Sequence, residues 1–401
     1  LINNSSTFVD LGLQPFSHKF EGDATLPSVK EPLIVNYCEN CSHFFNGNPI
    51  YSEFKDDYEF LTSASQTLIE ESKFLANYLI EYYHSKYFRK PNSILEIASN
   101  DGSFLQEFDN NTKYSKILGV EPSYLAYKKS IDKGHNVLNE YFNSQNINKI
   151  LDILNGFPEL IVAKNVITHI DKIQDFFAGI EKVMSKYSIL FLQCHYWPSL
   201  VENTNFDAIY HENYQYFTYR VLEKFMKKFG IQTIASFISE SQGGSLAIIA
   251  SKNEKLKKDI SRKVIENEKI FFKNLDMKKN KFIKSLDFYK RNFIEFIKER
   301  QKMGIDIYGY GAPQKAVILL NYFNLNNQNI KLVADISSEK QNKFVPGTNI
   351  KICSPEYLIT INAKLIIVFA WNYFDEIKKQ MINMGSKAEI ISIEFFKEKV
   401  L

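Results

Sequence analysis

Cysteine is scarce. Cys38, Cys41, Cys194 and Cys353 are too few to staple a chain of 401 residues, and the last two stand alone. No disulfide framework is expected, and a reducing cytoplasm suits the chain. Long apolar runs are also missing: nothing approaches the ~18 residues a helical membrane span needs. Charge of one sign is lacking. The 49 Lys and Arg against 46 Asp and Glu leave a net charge of +3, without the concentrated basic face of a nucleic-acid binder. No secretory signal is visible, although the chain begins at Leu1 rather than Met, and no short internal repeat occurs. A G-x-G-x-x-G fingerprint is absent, which argues against a nicotinamide dinucleotide.

What is present separates into four regions, as expected for a chain too long for one core. Residues 1–65 read as a small, irregular N-terminal lobe. Residues 66–251 open with a helical pattern, 66–86, carrying Leu68, Phe74, Leu75 and Leu79. They continue with the short apolar runs SILEIAS, KILGVEP, ELIVAKN and SILFLQC between helical stretches, the pattern of a parallel α/β sheet. Residues 252–303 are rich in Lys and Glu with recurring Phe and Ile, predicting a long helical connector of one or two amphipathic helices. Residues 304–401 form a second α/β series, GIDIYGYGAPQKAVILL, IKLVADIS and KLIIVFAW.

The stretch 94-ILEIASNDGSFLQEF-108 reads as buried strand, polar turn and helix start. Glu96 lies in the strand's end region. The small residues Ala98, Ser99 and Gly102 let a ligand approach the backbone, Asn100 and Asp101 shape the turn, and the helix offers free N–H groups. About 20 positions on, Glu121 in 117-ILGVEPS-123 stands where an acidic side chain accepts from both hydroxyls of a ribose, with Pro122 and Ser123 behind it. The next strand ends in 162-VAKNVITHI-170, placing Asn165 and His169 at the mouth of the sheet. With no cradle for a pyrophosphate, S-adenosylmethionine is the cofactor that fits. The expected fold is α/β, a class I, Rossmann-like methyltransferase domain followed by a second Rossmann-like domain.

The segment 206-FDAIYHENYQYFT-218 sets Asp, His and Glu on an aromatic bed. With LEIASNDGSFL, GVEPS, NVITHI, GGSLAI at 243–248, YGAPQKAVILLNY, DISSEKQNKFVPGT at 335–348 and AWNYFDEI at 370–377, it carries a resemblance along nearly the whole chain. The sequence resembles the three-domain sugar C-methyltransferases of deoxysugar biosynthesis. The resemblance implies a zinc-bearing N-terminal lobe, a central methyltransferase domain and a C-terminal Rossmann-like domain. It also implies a nucleotide-diphosphate-linked 4-keto sugar as acceptor: a base removes the proton at C3, and the enolate carbon attacks the methyl group of the sulfonium.

In that family the aromatic segment ends in Glu-His, the His serving as base. Here Glu212 is followed by Asn213, which takes no proton near neutral pH. His169 is the better-placed substitute. His211 faces the other way in an extended segment, and His195 comes third. Tyr210 and Glu212 match family positions that orient sugar or base, and Tyr58 matches an active-site tyrosine. Tyr214 and His195, with Tyr310, Lys315, Trp371 and Asn372 of the C-terminal unit, are expected against the nucleotide sugar. Cys38 and Cys41 give half of a structural zinc site, and the resemblance puts the partner pair at or before Leu1. A monomer or homodimer is expected. The alternatives are O- or N-methylation of a nucleotide sugar, a nicotinamide-dependent oxidoreductase, and a non-catalytic nucleotide-sugar binding protein.

Overall fold

The computed structural model describes residues 4–20, 22–23, 28–49, 61–111 and 116–397. Tyr58 lies outside the described residues. The N-terminal lobe is more regular than its Gly- and Pro-bearing sequence predicts. It holds three strands, β1 (Ser5–Pro15), β2 (Lys30–Cys38) and β3 (His43–Asn46), paired antiparallel. Register shifts in β1, one spanning Gly12 at φ 72°, break the alternation by which a strand is recognised in sequence.

The helix Gln66–Tyr87 is capped by Ser65, whose side chain accepts from the Leu68 amide. Its buried stripe is Leu68, Ser72, Ala76, Leu79, Ile80 and Tyr83, while Phe74 is 74% exposed. The expected Phe74 face is therefore corrected. Small Ser72 and Ala76 let the helix pack closely, and Phe74, six residues from Leu68, falls off that stripe at 3.6 residues per turn.

The central sheet contains β4 (Ser93–Ile97), β5 (Lys116–Val120), β6 (Val137–Leu138), β7 (Leu160–Lys164) and β8 (Ile189–His195). The aromatic segment follows and contributes β9 (Gln215–Tyr216), which pairs with β3 of the lobe. Then β10 (Gln232–Ser239), β11 (Ser245–Ser251) and β12 (Asp259–Ile260) complete the sheet, in the order β12-β10-β11-β8-β7-β4-β5-β6. The run from β6 to β8 is parallel and β11 is antiparallel to β8. From β4 the chain winds to β5 and β6 on one side and later to β7 and β8 on the other. The carboxyl ends of β4 and β7 thus flank a topological switch point, where open α/β sheets bind ligands.

Helices Arg262–Lys273 and Leu275–Lys302 lead to the third sheet. The longer one buries Phe282, Leu286, Tyr289, Phe293 and Ile297 at three- and four-residue spacing. The sheet is formed by β13 (Ile307–Tyr310), β14 (Leu332–Ala334), β15 (Phe344–Val345), β16 (Ile350–Cys353), β17 (Leu365–Val368) and β18 (Glu389–Ser392), in the order β15-β16-β14-β13-β17-β18. One apolar cluster runs through the lobe (Phe8, Phe44), the aromatic segment (Phe206, Tyr216), the long helix and the C-terminal unit (Leu320, Phe323). Phe217 of the same segment packs into the core of the central sheet, so the three sheets meet along the aromatic segment. No helix among the described residues is long and apolar enough to cross a membrane.

Candidate active site

A cavity opens at the carboxyl ends of β4, β5 and β7. Its wall includes Glu96, Ala98, Ser99 and Asn100 of the first turn, Glu121 and Pro122 of the second, and Lys164, Asn165 and His169 of the third. Phe104, Phe142 and Phe176 give it apolar surface. The turn after β4 is held in an unusual shape: Ala98 and Asn100 sit at φ 58° and 51°, followed by Gly102 at 76°. Left-handed backbone on non-glycine residues costs energy and persists only where contacts enforce it. Glu121 supplies one such contact. Its carboxylate accepts from the Asn100 amide at 2.8 Å and the Ser123 amide at 2.7 Å. Burial pushes its pKa up to about 7 against the lowering effect of those two bonds.

Glu96 is buried, and burial raises its pKa well above the carboxylate range while the Lys164 charge pulls it down. Burial in turn lowers Lys164, with Glu96 opposing. Oε2 of Glu96 and Oδ1 of Asn165 are buried and have no hydrogen-bond partner among the described residues. Orphaned buried acceptors lining a cavity fit a ligand that brings donors, such as an ammonium group and hydroxyls. Asp101, Gly102 and Ser123 lie behind this wall. Asp101 accepts from the Ser63 amide at 3.0 Å and the Ser103 hydroxyl at 2.7 Å, and Ser123 caps the helix Tyr124–Asp132. A Cβ on Gly102 would fall 2.4 Å from His135 and Ser130. These residues hold the turn rather than face the cavity.

His169 forms one end of the cavity. Its Nδ1–H donates to the Glu212 carbonyl at 3.0 Å, so Nε2 is the basic nitrogen, and its ring stacks on Tyr210 at 6.1 Å. Burial lowers its pKa, with that carbonyl opposing. Tyr210 is buried, which raises its hydroxyl pKa. The rest of 210–214 is tied into the seam. His211 gives Nε2–H to the Glu31 carbonyl at 3.2 Å and packs edge-on against Phe16. Asn213 donates to the Ala208 carbonyl at 3.0 Å and closes a turn. The Tyr214 amide donates to Thr168 at 2.9 Å. The Glu212 carboxylate accepts from Ser17 at 3.0 and 3.2 Å and pairs with His18 Nδ1. Burial acts to raise Glu212, but His18 and Ser17 outweigh it and leave its pKa below the ordinary value.

Beyond His169 the C-terminal unit meets the cavity through Gln242, a residue the sequence reading did not single out. Gln242 lies in the cavity wall and accepts from Asn372 Nδ2 at 2.6 Å and Lys315 Nζ at 3.3 Å. Lys315 sits 4.4 Å from the Trp371 ring centre, and Trp371 Nε1–H donates to Asp207 at 2.7 Å. Burial lowers Lys315 to about 8, with the Asp207 charge opposing. His195, buried at the end of β8, is lowered to about 3 by burial and then by the Lys315 cation. Neighbouring Gly243, at φ 79°, is the packing signal for this contact: a Cβ there would fall 2.5 Å from Trp371. Tyr310 turns away, donating to Gln380 at 2.9 Å within its own unit. Asp335 accepts from the Ala312 amide at 2.7 Å and locks the second Gly turn much as Glu121 locks the first.

Cys38 and Cys41 lie in the turn between β2 and β3. Among the described residues no group of three or more His, Cys, Asp and Glu is placed to hold a metal. Two thiols are half a tetrahedral set, so these residues alone do not fit a structural zinc ion.

Residues 72–236 match the profile of a methyltransferase domain family, and residues 240–391 that of the C-methyltransferase C-terminal domain family. The chain is similar to the C-methyltransferase NovU of Streptomyces niveus, 23% identical over 367 residues covering 89% of this chain and 85% of that protein. Among solved structures it is similar to the plantazolicin methyltransferase BpumL in complex with SAH (12% identity, 45% of this chain and 84% of that one, TM-score 0.37). A second is an S-adenosylmethionine-dependent methyltransferase from Clostridium acetobutylicum ATCC 824 (10% identity, 44% and 89%, TM-score 0.37).

Proposed function

We propose, from the premise that the chain is an S-adenosylmethionine-dependent methyltransferase of the C-methyltransferase family, that it methylates a carbon beside the ketone of a nucleotide-linked 4-keto deoxysugar. The observation that carries this reading is the junction at Gln242, where a cavity at the sheet's switch point meets a cationic, aromatic cluster on another unit. The cavity suits adenosine and an amino acid. The Lys315–Trp371–Asn372 cluster suits a nucleotide diphosphate, offering a cation for phosphate and a ring for a base.

When bound, the cofactor supplies an electrophilic methyl group. In this reading Glu121 holds the ribose hydroxyls, and Glu96 and the backbone of the first turn hold the amino-acid end. His169, Tyr210 and Glu212 manage protons around the acceptor. Aromatic walls exclude water, and close approach of carbon and methyl is the main demand of the displacement. The test is to supply methyl-labelled cofactor with a dTDP-4-keto-6-deoxysugar. Label bonded to ring carbon supports the reading, whereas label on oxygen or nitrogen, or no transfer, overturns it.

Two further results are expected. Ribose hydroxyls donate, so they require ionised Glu121, whose pKa in the free protein is raised from 4.5 to about 7. Binding of S-adenosylhomocysteine should release a proton in that window. Its affinity should climb up to about tenfold per pH unit and level off above. Calorimetry in buffers of different ionisation heat reads that proton directly. Without ligand the sign is opposite: the raised pKa favours the fold below 4.5, and that contribution is lost as pH rises through about 7. Separately, Lys315→Met should raise KM for the nucleotide sugar by about 10- to 100-fold, the worth of one charged hydrogen bond, and leave S-adenosylhomocysteine affinity unchanged. Steady-state kinetics beside calorimetry separates the two ligands.

A further inference from the structure

We infer that His18, carried by the N-terminal lobe, is the proton acceptor of the reaction proposed above. The assignment rests on that reading, because removing the proton from the carbon beside the ketone requires a base. Five histidines stand on elements that meet at the aromatic segment: His18, His43, His169, His195 and His211. His43 is buried, with its Nε2 spent on the Gln215 side chain at 3.2 Å. His211 is fully enclosed, with Nε2–H spent on the Glu31 carbonyl and Nδ1 sealed. His195 is enclosed beside the Lys315 cation. His169 is held through Nδ1 by the Glu212 peptide carbonyl, whereas the Glu212 carboxylate itself is turned to His18.

His18 differs from all four. Its Nδ1 meets the buried carboxylate of Glu212, and Ser17 steadies that carboxylate through both oxygens. A carboxylate on Nδ1 fixes the proton there, presents Nε2 as the base and stabilises the imidazolium once it forms. His18 Nε2 has no hydrogen-bond partner among the described residues, and the side chain keeps 11% exposure. Glu212 also fixes His169 through its peptide carbonyl, so one residue orients both an imidazole of the cavity wall and an imidazole of the lobe. Asn213, beside Glu212, takes no proton, and its amide is committed to the Ala208 carbonyl. A contact spanning 194 residues thus supplies the base that its neighbour in sequence cannot be. In the step, the C–H bond beside the ketone breaks, its proton goes to Nε2 of His18, and its electron pair remains as the enolate. The enolate carbon then bonds to the methyl carbon while the donor's carbon–sulfur bond breaks and sulfur keeps the pair.

The experiment measures solvent-deuterium exchange at the carbon beside the ketone of a dTDP-4-keto-6-deoxysugar, with S-adenosylhomocysteine present so that no methyl transfer follows. The wild type should exchange. His18→Asn, which keeps a donor for Glu212 but has no base, should slow exchange at least ~100-fold with S-adenosylhomocysteine affinity unchanged. His18→Ala should regain exchange when imidazole is added, which a merely structural role would not allow. Wild-type exchange that persists in His18→Asn, or is lost only in His169→Asn, overturns the assignment alone. A wild type that neither exchanges nor methylates overturns the functional reading and the assignment with it.

Discussion

Glu121→Ala should weaken S-adenosylhomocysteine binding about 100- to 1000-fold. The carboxylate has two tasks. In the free protein it receives the Asn100 and Ser123 amides and so holds a turn whose Ala98 and Asn100 are in left-handed backbone. In the proposed complex its remaining lone pairs receive the ribose hydroxyls. Hydrogen bonds to a charged group contribute about 1.5–3 kcal/mol each, and two of them account for that loss before any relaxation of the turn. Glu121→Gln separates the tasks. It keeps an acceptor for one amide and loses the charge, so it should retain the fold and the pH-independent part of binding while losing the proton release near neutral pH. Calorimetry across pH reads both variants.

Glu212→Ala should destabilise the fold by about 3 kcal/mol, near the cost of stripping one partner from a buried ion pair, and should reduce methyl transfer by three orders of magnitude or more. His18 and the Ser17 hydroxyl lose their acceptor, and the lobe loses a tie to the aromatic segment. Glu212→Gln, which keeps the shape and an acceptor for Ser17, should lose about 1 kcal/mol yet remain catalytically poor, because the charge opposite His18 is gone. The pH sign is distinctive. The Glu212 pKa is depressed, so its contribution is present above the unfolded value and is lost as pH falls through the folded one. The stability gap between wild type and Glu212→Ala should therefore close in acid, which denaturant melts at several pH values will show.

The cofactor side of the site was legible because its signals are local. Strand, turn and helix follow one another within 94–108, and Glu121 comes one α/β step later, so pattern and spacing predict where those side chains gather. The acceptor side was legible only in part. Lys315, Trp371 and Asn372 gather as the C-terminal motifs imply, but Gln242, which joins them to the cavity, sits in a plain SQGG stretch whose meaning depends on Trp371, more than a hundred residues away. Glu212 carries a motif, yet its carboxylate partner lies in the lobe, and no periodicity links positions 18 and 212. The partners of His211 and Asn213 have no signal in the sequence. Each donates to a backbone carbonyl, a contact set by where the segment is threaded between the sheets and not by the motif. The lobe's strands were missed for a related reason: bulges and short lengths hide the alternation that marks a strand.

The most direct test of the account is a crystal structure with S-adenosylhomocysteine and thymidine diphosphate bound together. The adenosine ribose is expected on Glu121, the amino-acid end beside Glu96, and the diphosphate near Lys315 with Gln242 between the two ligands. A ribose remote from Glu121, or a nucleotide seated away from the Lys315–Trp371 cluster, would contradict it.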